Sequence, residues 1–220
     1  MFKRLAVLLV PLAAALALAP TALSAGGRYT FVGGNAVERS QVVQALNASS
    51  FPWDIIPGTI VVHVEPRPIS EATPGAVWLD NSLLDSGDFS WGVIQHEFAH
   101  QVDFALLDPG TRLQLGALLG GVSWWNDGIH DHGSFASERF ASEIAWAYWP
   151  STNNCLRPAS ANDEAGHVPP ALFRAALVAL LPQATPAPAY EVTRQSAPAV
   201  TRAHAAKKLR KTAKKPRKTA

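Results

Sequence analysis

Cysteine is almost missing. Cys155 is the only one in 220 residues, so no intrachain disulfide can form and stability must come from packing or a bound ion. Cys155 stands in the polar stretch Ser151-Thr152-Asn153-Asn154-Cys155 without a partner motif, and is read as a bystander thiol. No internal repeat is evident. Past residue 25 no segment is apolar enough to span a bilayer. Charged residues are only 16% of the chain, while 48% are apolar and seven are tryptophan, enough for a packed core.

The first 25 residues differ from the rest. Lys3 and Arg4 precede an apolar run from Leu5 to Ala19, broken only by Pro11. Small residues at Ala22, Ser24 and Ala25 then suit cleavage after Ser24 or Ala25. This is the pattern of a secretory signal peptide, and it predicts a secreted or cell-envelope-associated protein; an uncleaved anchor is the other reading.

Charge is unevenly distributed. Residues 26–182 hold seven Lys/Arg against sixteen Asp/Glu, a balance of −9, whereas residues 183–220 hold ten against one, a balance of +9. The acidic part is expected to be the folded domain. The Ala/Pro-rich and then Lys/Arg-rich remainder is expected to be a disordered tail. Its basic residues, 207–218, suit a polyanion such as a cell-envelope polymer or nucleic acid, with salt-dependent binding. A solvated tail without a partner is the alternative.

Within 26–182 the elements alternate. Strands are expected at Tyr29–Val32, Thr59–Val64 and Ala76–Leu79. Asn35 and Glu38 form a capping-box pattern before a helix reaching Ala48. Further helices are expected at Trp91–Leu107, Thr111–Leu119, from Ser134 or Ser137 to Trp149, and Ala171–Leu181. Residues Val122–Gly133, rich in Trp, Asp, Gly and His, read as a loop.

The chemistry is concentrated in His96-Glu97-Phe98-Ala99-His100, an HExxH motif on a predicted helix. Residues four apart share a helical face, so both imidazoles can reach one Zn²⁺ at about 2.0–2.1 Å. Glu97, about 100° further round, can serve as general base to a water activated by the metal. Chance would produce this motif in about one chain in a hundred of this composition. The motif's neighbours Val93, Ile94, Phe98, Ala99, Gln101 and Val102 are uncharged, as suits a buried helix.

A catalytic zinc needs a third protein ligand and an open position. The segment Glu138-Arg139-Phe140-Ala141-Ser142-Glu143-Ile144-Ala145 resembles the second-helix pattern of the gluzincin metallopeptidases, in which small residues follow the ligand glutamate at +3 and +7. The resemblance covers about residues 58–149 and is nearest to the lethal-factor-like bacterial branch, where an Asp follows the second His as Asp103 does here. It implies an α+β, zincin-like domain in which the HExxH helix packs on a helix carrying the third ligand, Glu138. It also implies a small sheet whose edge strand, Ala76–Leu79, pairs with an extended peptide or protein substrate.

The chain departs from the pattern at Ser142, where many gluzincins carry an acid. Glu143 is an alternative third ligand, as is either His130 or His132 in the loop. Asp103 is expected to accept the free N–H of His100 or to face solvent. His130, His132 and Tyr148 are candidate donors to a developing oxyanion, although for Tyr148, two residues before the stop at Pro150, a place in the core or at the rim is the preferred reading. Trp124 and Trp125 are expected to pack under the loop, Trp146 and Trp149 to lie in the core, and His63 to be buried and hydrogen-bonded. The functional expectation is an exported zinc peptidase. The competing one is a non-catalytic zinc-binding protein held to a polyanion by its tail.

Overall fold

A computed structural model describes residues 27–186. The expected signal peptide and nearly all of the expected basic tail lie outside them. The described residues form a mixed α/β structure of four strands and six helices, of α+β class. In chain order these are β1 (Tyr29–Gly33), α1 (Ala36–Ala48), β2 (Ile60–Glu65), β3 (Glu71–Thr73), β4 (Ala76–Asp80), α2 (Asn81–Leu84), α3 (Trp91–Leu106), α4 (Pro109–Leu119), α5 (Ala136–Ala147) and α6 (Pro170–Leu180). None of these helices is long and apolar enough to cross a membrane.

The sheet order is β1-β2-β4-β3, with β1, β2 and β4 parallel and β3 antiparallel to β4. Side chains alternate across it: Val62, Val64, Val77 and Leu79 are buried, while Val61, His63 and Trp78 are half-buried on the other face. His63 therefore does not lie in the core; its ring stacks on Trp78 at 4.9 Å. The expectation that β4 is the edge strand is corrected, because β4 pairs on both sides and β3 lies outermost. Thr73-Pro74-Gly75-Ala76 makes the turn between them. Gly75 has φ +81°, a value that suits glycine at the third position of a type II turn after proline.

The capping box at the start of α1 is formed as expected. Asn35 Oδ1 accepts the N–H groups of Val37 and Glu38, and Glu38 Oε2 accepts that of Asn35; such a cap is typically worth about 1 kcal/mol. The helix carrying Glu138 begins differently from expectation. Phe135 occupies its N-cap position and neither Ser134 nor Ser137 caps it. Phe135 is fully buried, so packing sets where α5 starts.

Helix α3 is the centre of the fold. It packs against α1, α5, β3 and β4, and every residue from Ile94 to Asp103 is buried. Ile94, Phe98 and Val102 fill the core with Leu46 and Val42 of α1 and Phe140 and Ile144 of α5. Ala141 and Ala145 on α5 are fully buried, and neither adds bulk to the packed face. Phe173 and Leu177 of α6 close the far side of α5. Trp146 and Trp149 are half-buried rather than core, and Trp149 lies against Trp91. The packed chain continues past Pro182: Ala184 is fully buried and its carbonyl accepts the Tyr148 hydroxyl at 3.0 Å.

Candidate metal centre

Two imidazoles and a carboxylate meet where α3 packs on α5. One helical turn separates His96 from His100, and their Nε2 atoms lie 3.1 Å apart. Glu138, in the first turn of α5, places Oε2 3.2 Å from His96 Nε2 and 3.3 Å from His100 Nε2. Both histidines are buried, and among the described residues this is the group of three or more His, Cys, Asp or Glu arranged to hold a metal ion. Its edges of 3.1–3.3 Å can be compared with a tetrahedral ion. Ligands bonded at about 2.0–2.1 Å to such an ion lie about 3.3 Å from one another. The three atoms thus match the spacing of one face of a coordination tetrahedron.

The electrostatics fit a cation-binding cluster. Burial works to raise the Glu138 carboxyl, but hydrogen bonds from His100, His132 and His96 outweigh it and hold Glu138 well below the usual carboxylate range. Burial lowers His96, yet Glu138 and the charge of Glu97 carry it above its ordinary value. Glu97 is raised, chiefly by burial, with His96 and His100 pulling against that rise. A buried carboxyl with a raised pKa beside two imidazoles is suited to taking up and returning a proton.

A cavity of about 400 Å³ opens in front of the cluster. Glu97 and His132 line it beside the three candidate ligands. One wall is Ile69 to Ala72, the outer strand and its approach. Phe104 and Trp125, whose rings stack 5.8 Å apart, also line the cavity. Gln101 ties the outer strand to α3: its Oε1 accepts the Gly75 N–H at 2.8 Å, and its Nε2 donates to the carbonyls of Thr73 and Ala76 at 2.8 and 3.0 Å. The strand edge and the histidines are thereby held in one frame.

The loop histidines part company. His132 lines the cavity, with Nε2 3.0 Å from Glu138 Oε2 and Nδ1 3.1 Å from Glu164 Oε1. Hydrogen bonds to Glu138 and Glu164 raise it to about 10. His130 is exposed and bonded to Asp127 at 2.7 Å, away from the cluster.

Two other expectations are corrected, and one choice is decided. Asp103 neither serves His100 nor faces solvent. It is fully buried, accepting Arg112 Nε–H at 2.7 Å and Trp124 Nε1–H at 2.9 Å. Of the two readings of Tyr148 the core one holds: it is buried and bonded to Ala184, so its hydroxyl does not serve as an oxyanion donor at the cavity. Glu143 is fully buried, and its Oε1 accepts the Val168 N–H at 2.8 Å, so it does not compete with Glu138. Trp124 is half-buried against Phe140, whereas Trp125 is 46% exposed and lines the cavity instead of packing under the loop.

Glu164, Gln101 and Arg112 were not legible as site residues. Glu164 sits in the loop Asn162-Asp163-Glu164-Ala165, which has no periodicity to mark it. A signal did exist at Ser142, where the resemblance leads one to expect an acid; its hydroxyl lies 3.0 Å from His96 Nδ1 and donates to Glu164 Oε2 at 2.9 Å.

Comparison with protein-family models, curated proteins and solved structures finds no match for this chain.

Proposed function

We propose that the chain is an exported zinc-dependent metallohydrolase of zincin-like fold that cleaves peptide bonds. The observation that carries this reading is the triangle of His96 Nε2, His100 Nε2 and Glu138 Oε2 with Glu97 buried beside it at the cavity. Two histidines and a glutamate are a known donor set for catalytic zinc, which keeps its fourth position open. The gluzincin resemblance of residues 58–149 points the same way.

His96, His100 and Glu138 would hold the metal. Bound there, zinc supplies a Lewis acid that polarises a carbonyl and brings the pKa of water towards about 7. Glu97 takes the proton of the attacking water on its carboxylate and delivers it to the leaving amine nitrogen. His132 stands at the cavity with Nε2 on Glu138 Oε2, and turning that N–H from the carboxylate would let it donate to the oxygen on which negative charge develops. An extended peptide adds to the free edge of β3, its backbone pairing with Glu71–Thr73 while Phe104 and Trp125 wall off water. Export through residues 1–25 and attachment to a polyanion through residues 207–218 belong to the same proposal and rest on sequence alone.

The second reading is a zinc-binding protein without catalysis. The nearness of His132 to Glu138 favours it, since a fourth protein ligand would close the site. Glu97 weighs against it, because a closed site has no use for a buried carboxyl facing the cavity.

The test is cleavage of a peptide library by the zinc-loaded exported chain, read by mass spectrometry beside Glu97→Gln. Loss of the base should cost about 10²–10⁴-fold in rate while zinc is retained. Absence of cleavage by a chain carrying one zinc would move the reading to the binding protein.

A further inference from the structure

Five side chains close a ring around the candidate metal centre. His96 Nδ1 meets Ser142 Oγ at 3.0 Å, and Ser142 Oγ meets Glu164 Oε2 at 2.9 Å. Glu164 Oε1 meets His132 Nδ1 at 3.1 Å, and His132 Nε2 meets Glu138 Oε2 at 3.0 Å. Glu138 Oε2 returns to His96 Nε2 at 3.2 Å. A metal at the triangle would take over the last of these contacts and leave the Ser142 and Glu164 bonds intact.

Proton counting gives this ring a direction. The Glu164 carboxylate only accepts, so Ser142 spends its single hydroxyl proton on Glu164. The Ser142 oxygen is then free only to accept, and the proton it accepts is the one on His96 Nδ1. With Nδ1 committed to Ser142, the proton that His96 gives up to a metal is the one Nε2 shares with Glu138, so the lone pair then falls on Nε2, the atom turned towards Glu138 and His100. On the other arm, Glu164 Oε1 accepts from His132 Nδ1 and holds the ring at the cavity with Nε2 on Glu138.

The local backbone is shaped for this contact. Glu164 opens the short turn Glu164–Gly166, which packs against α5. Gly133 lies directly opposite: a Cβ there would come 2.9 Å from Glu164 Cγ and 3.0 Å from its Oε1. Any larger residue would require the Glu164 side chain to shift.

We propose that Glu164 is the positioning residue of the metal centre, holding His96 in its metal-binding tautomer through the Ser142 hydroxyl and the His132 ring over the cavity through Nδ1. The inference rests on the metal-binding part of the reading above, and for His132 on the catalytic part. It also accounts for the serine at the position where the gluzincin resemblance calls for an acid: the acid comes from the loop, one hydroxyl further out.

The experiment is a competition titration of zinc into the full chain after export (residues 26–220). Ser142→Ala, Glu164→Ala, Glu164→Gln, Gly133→Ala and the double variant Ser142→Ala/Glu164→Ala are compared, each checked for fold by circular dichroism. The visible spectrum of the Co²⁺-loaded forms is recorded alongside. Partners of metal-binding histidines typically change affinity by about 10–100-fold, and Glu164→Ala is expected in that range. Ser142→Ala should match it, and the double variant should be no worse than Glu164→Ala, since both cut one chain of bonds. Glu164→Gln, able to accept on one oxygen only, should fall between. Gly133→Ala, which keeps every polar group, should weaken zinc and shift the Co²⁺ bands as Glu164→Ala does. Folded Glu164→Ala binding zinc within twofold of the wild type, with unchanged Co²⁺ bands, would overturn the proposal. Failure of the wild type to bind zinc would overturn the metal centre itself, a separate outcome.

Discussion

Glu143→Gln should change how stability depends on pH without touching the metal cluster. Glu143 lies on α5 five residues beyond Glu138, fully buried, with Oε1 on the Val168 N–H at 2.8 Å and Oε2 without a partner. Burial pushes its carboxyl from 4.5 up to about 8, against the pull of the Val168 and His167 amides. Between those two values the folded chain keeps a proton that the unfolded chain releases. The folded state binds more protons, so stability falls as pH rises, by about 1.4 kcal/mol per pH unit from this group. The contribution is fully present below about 4.5 and is lost once pH has risen through about 8. From about pH 6 to about pH 8, the wild type should lose about 2–3 kcal/mol relative to Glu143→Gln, whose amide does not titrate. Urea denaturation of both proteins across this range measures it, and the difference between them cancels the histidines they share. Parallel stability curves for the two proteins would refute the reasoning.

Arg112→Met should destabilise the fold by about 3–5 kcal/mol in urea denaturation, because it strands the fully buried Asp103 carboxylate with only Trp124; a loss under about 1 kcal/mol would contradict the assigned pairing. Removing zinc with a chelator should lower the melting temperature. Free zinc at a hundredfold above its dissociation constant is worth about 2.7 kcal/mol. In a domain of this size that is about 5–10 °C by scanning fluorimetry. His100→Ala should melt at the same temperature with and without chelator, and an unchanged response there would place the zinc elsewhere.

Much of the frame was legible because local chemistry set it. The Asn35–Glu38 box marks the start of α1, and the β-branched run at 60–65 makes a strand with one buried face. The HExxH spacing puts two histidines on one face of α3 whatever surrounds it. What was missed depends on tertiary neighbours. Glu71-Ala72-Thr73 carries no strand pattern and becomes β3 because the Pro74–Gly75 turn folds it back on β4 and Gln101 holds it there. That segment, not β4, is the sheet edge. His63 follows the alternation of its strand outwards, although its valine neighbours suggest a core. Asp103 is claimed by Arg112 from the next helix. Glu164 reaches the centre from a loop with no period, so only the serine at 142 hinted that an acid was owed from elsewhere.

The most direct test is to locate zinc in the loaded chain by anomalous diffraction and to count its ligands by zinc-edge X-ray absorption. The account predicts one zinc bound by His96 Nε2, His100 Nε2 and a Glu138 oxygen, with a non-protein oxygen in the fourth position facing Glu97. Zinc elsewhere, or a fourth bond from His132 closing the sphere, would contradict it.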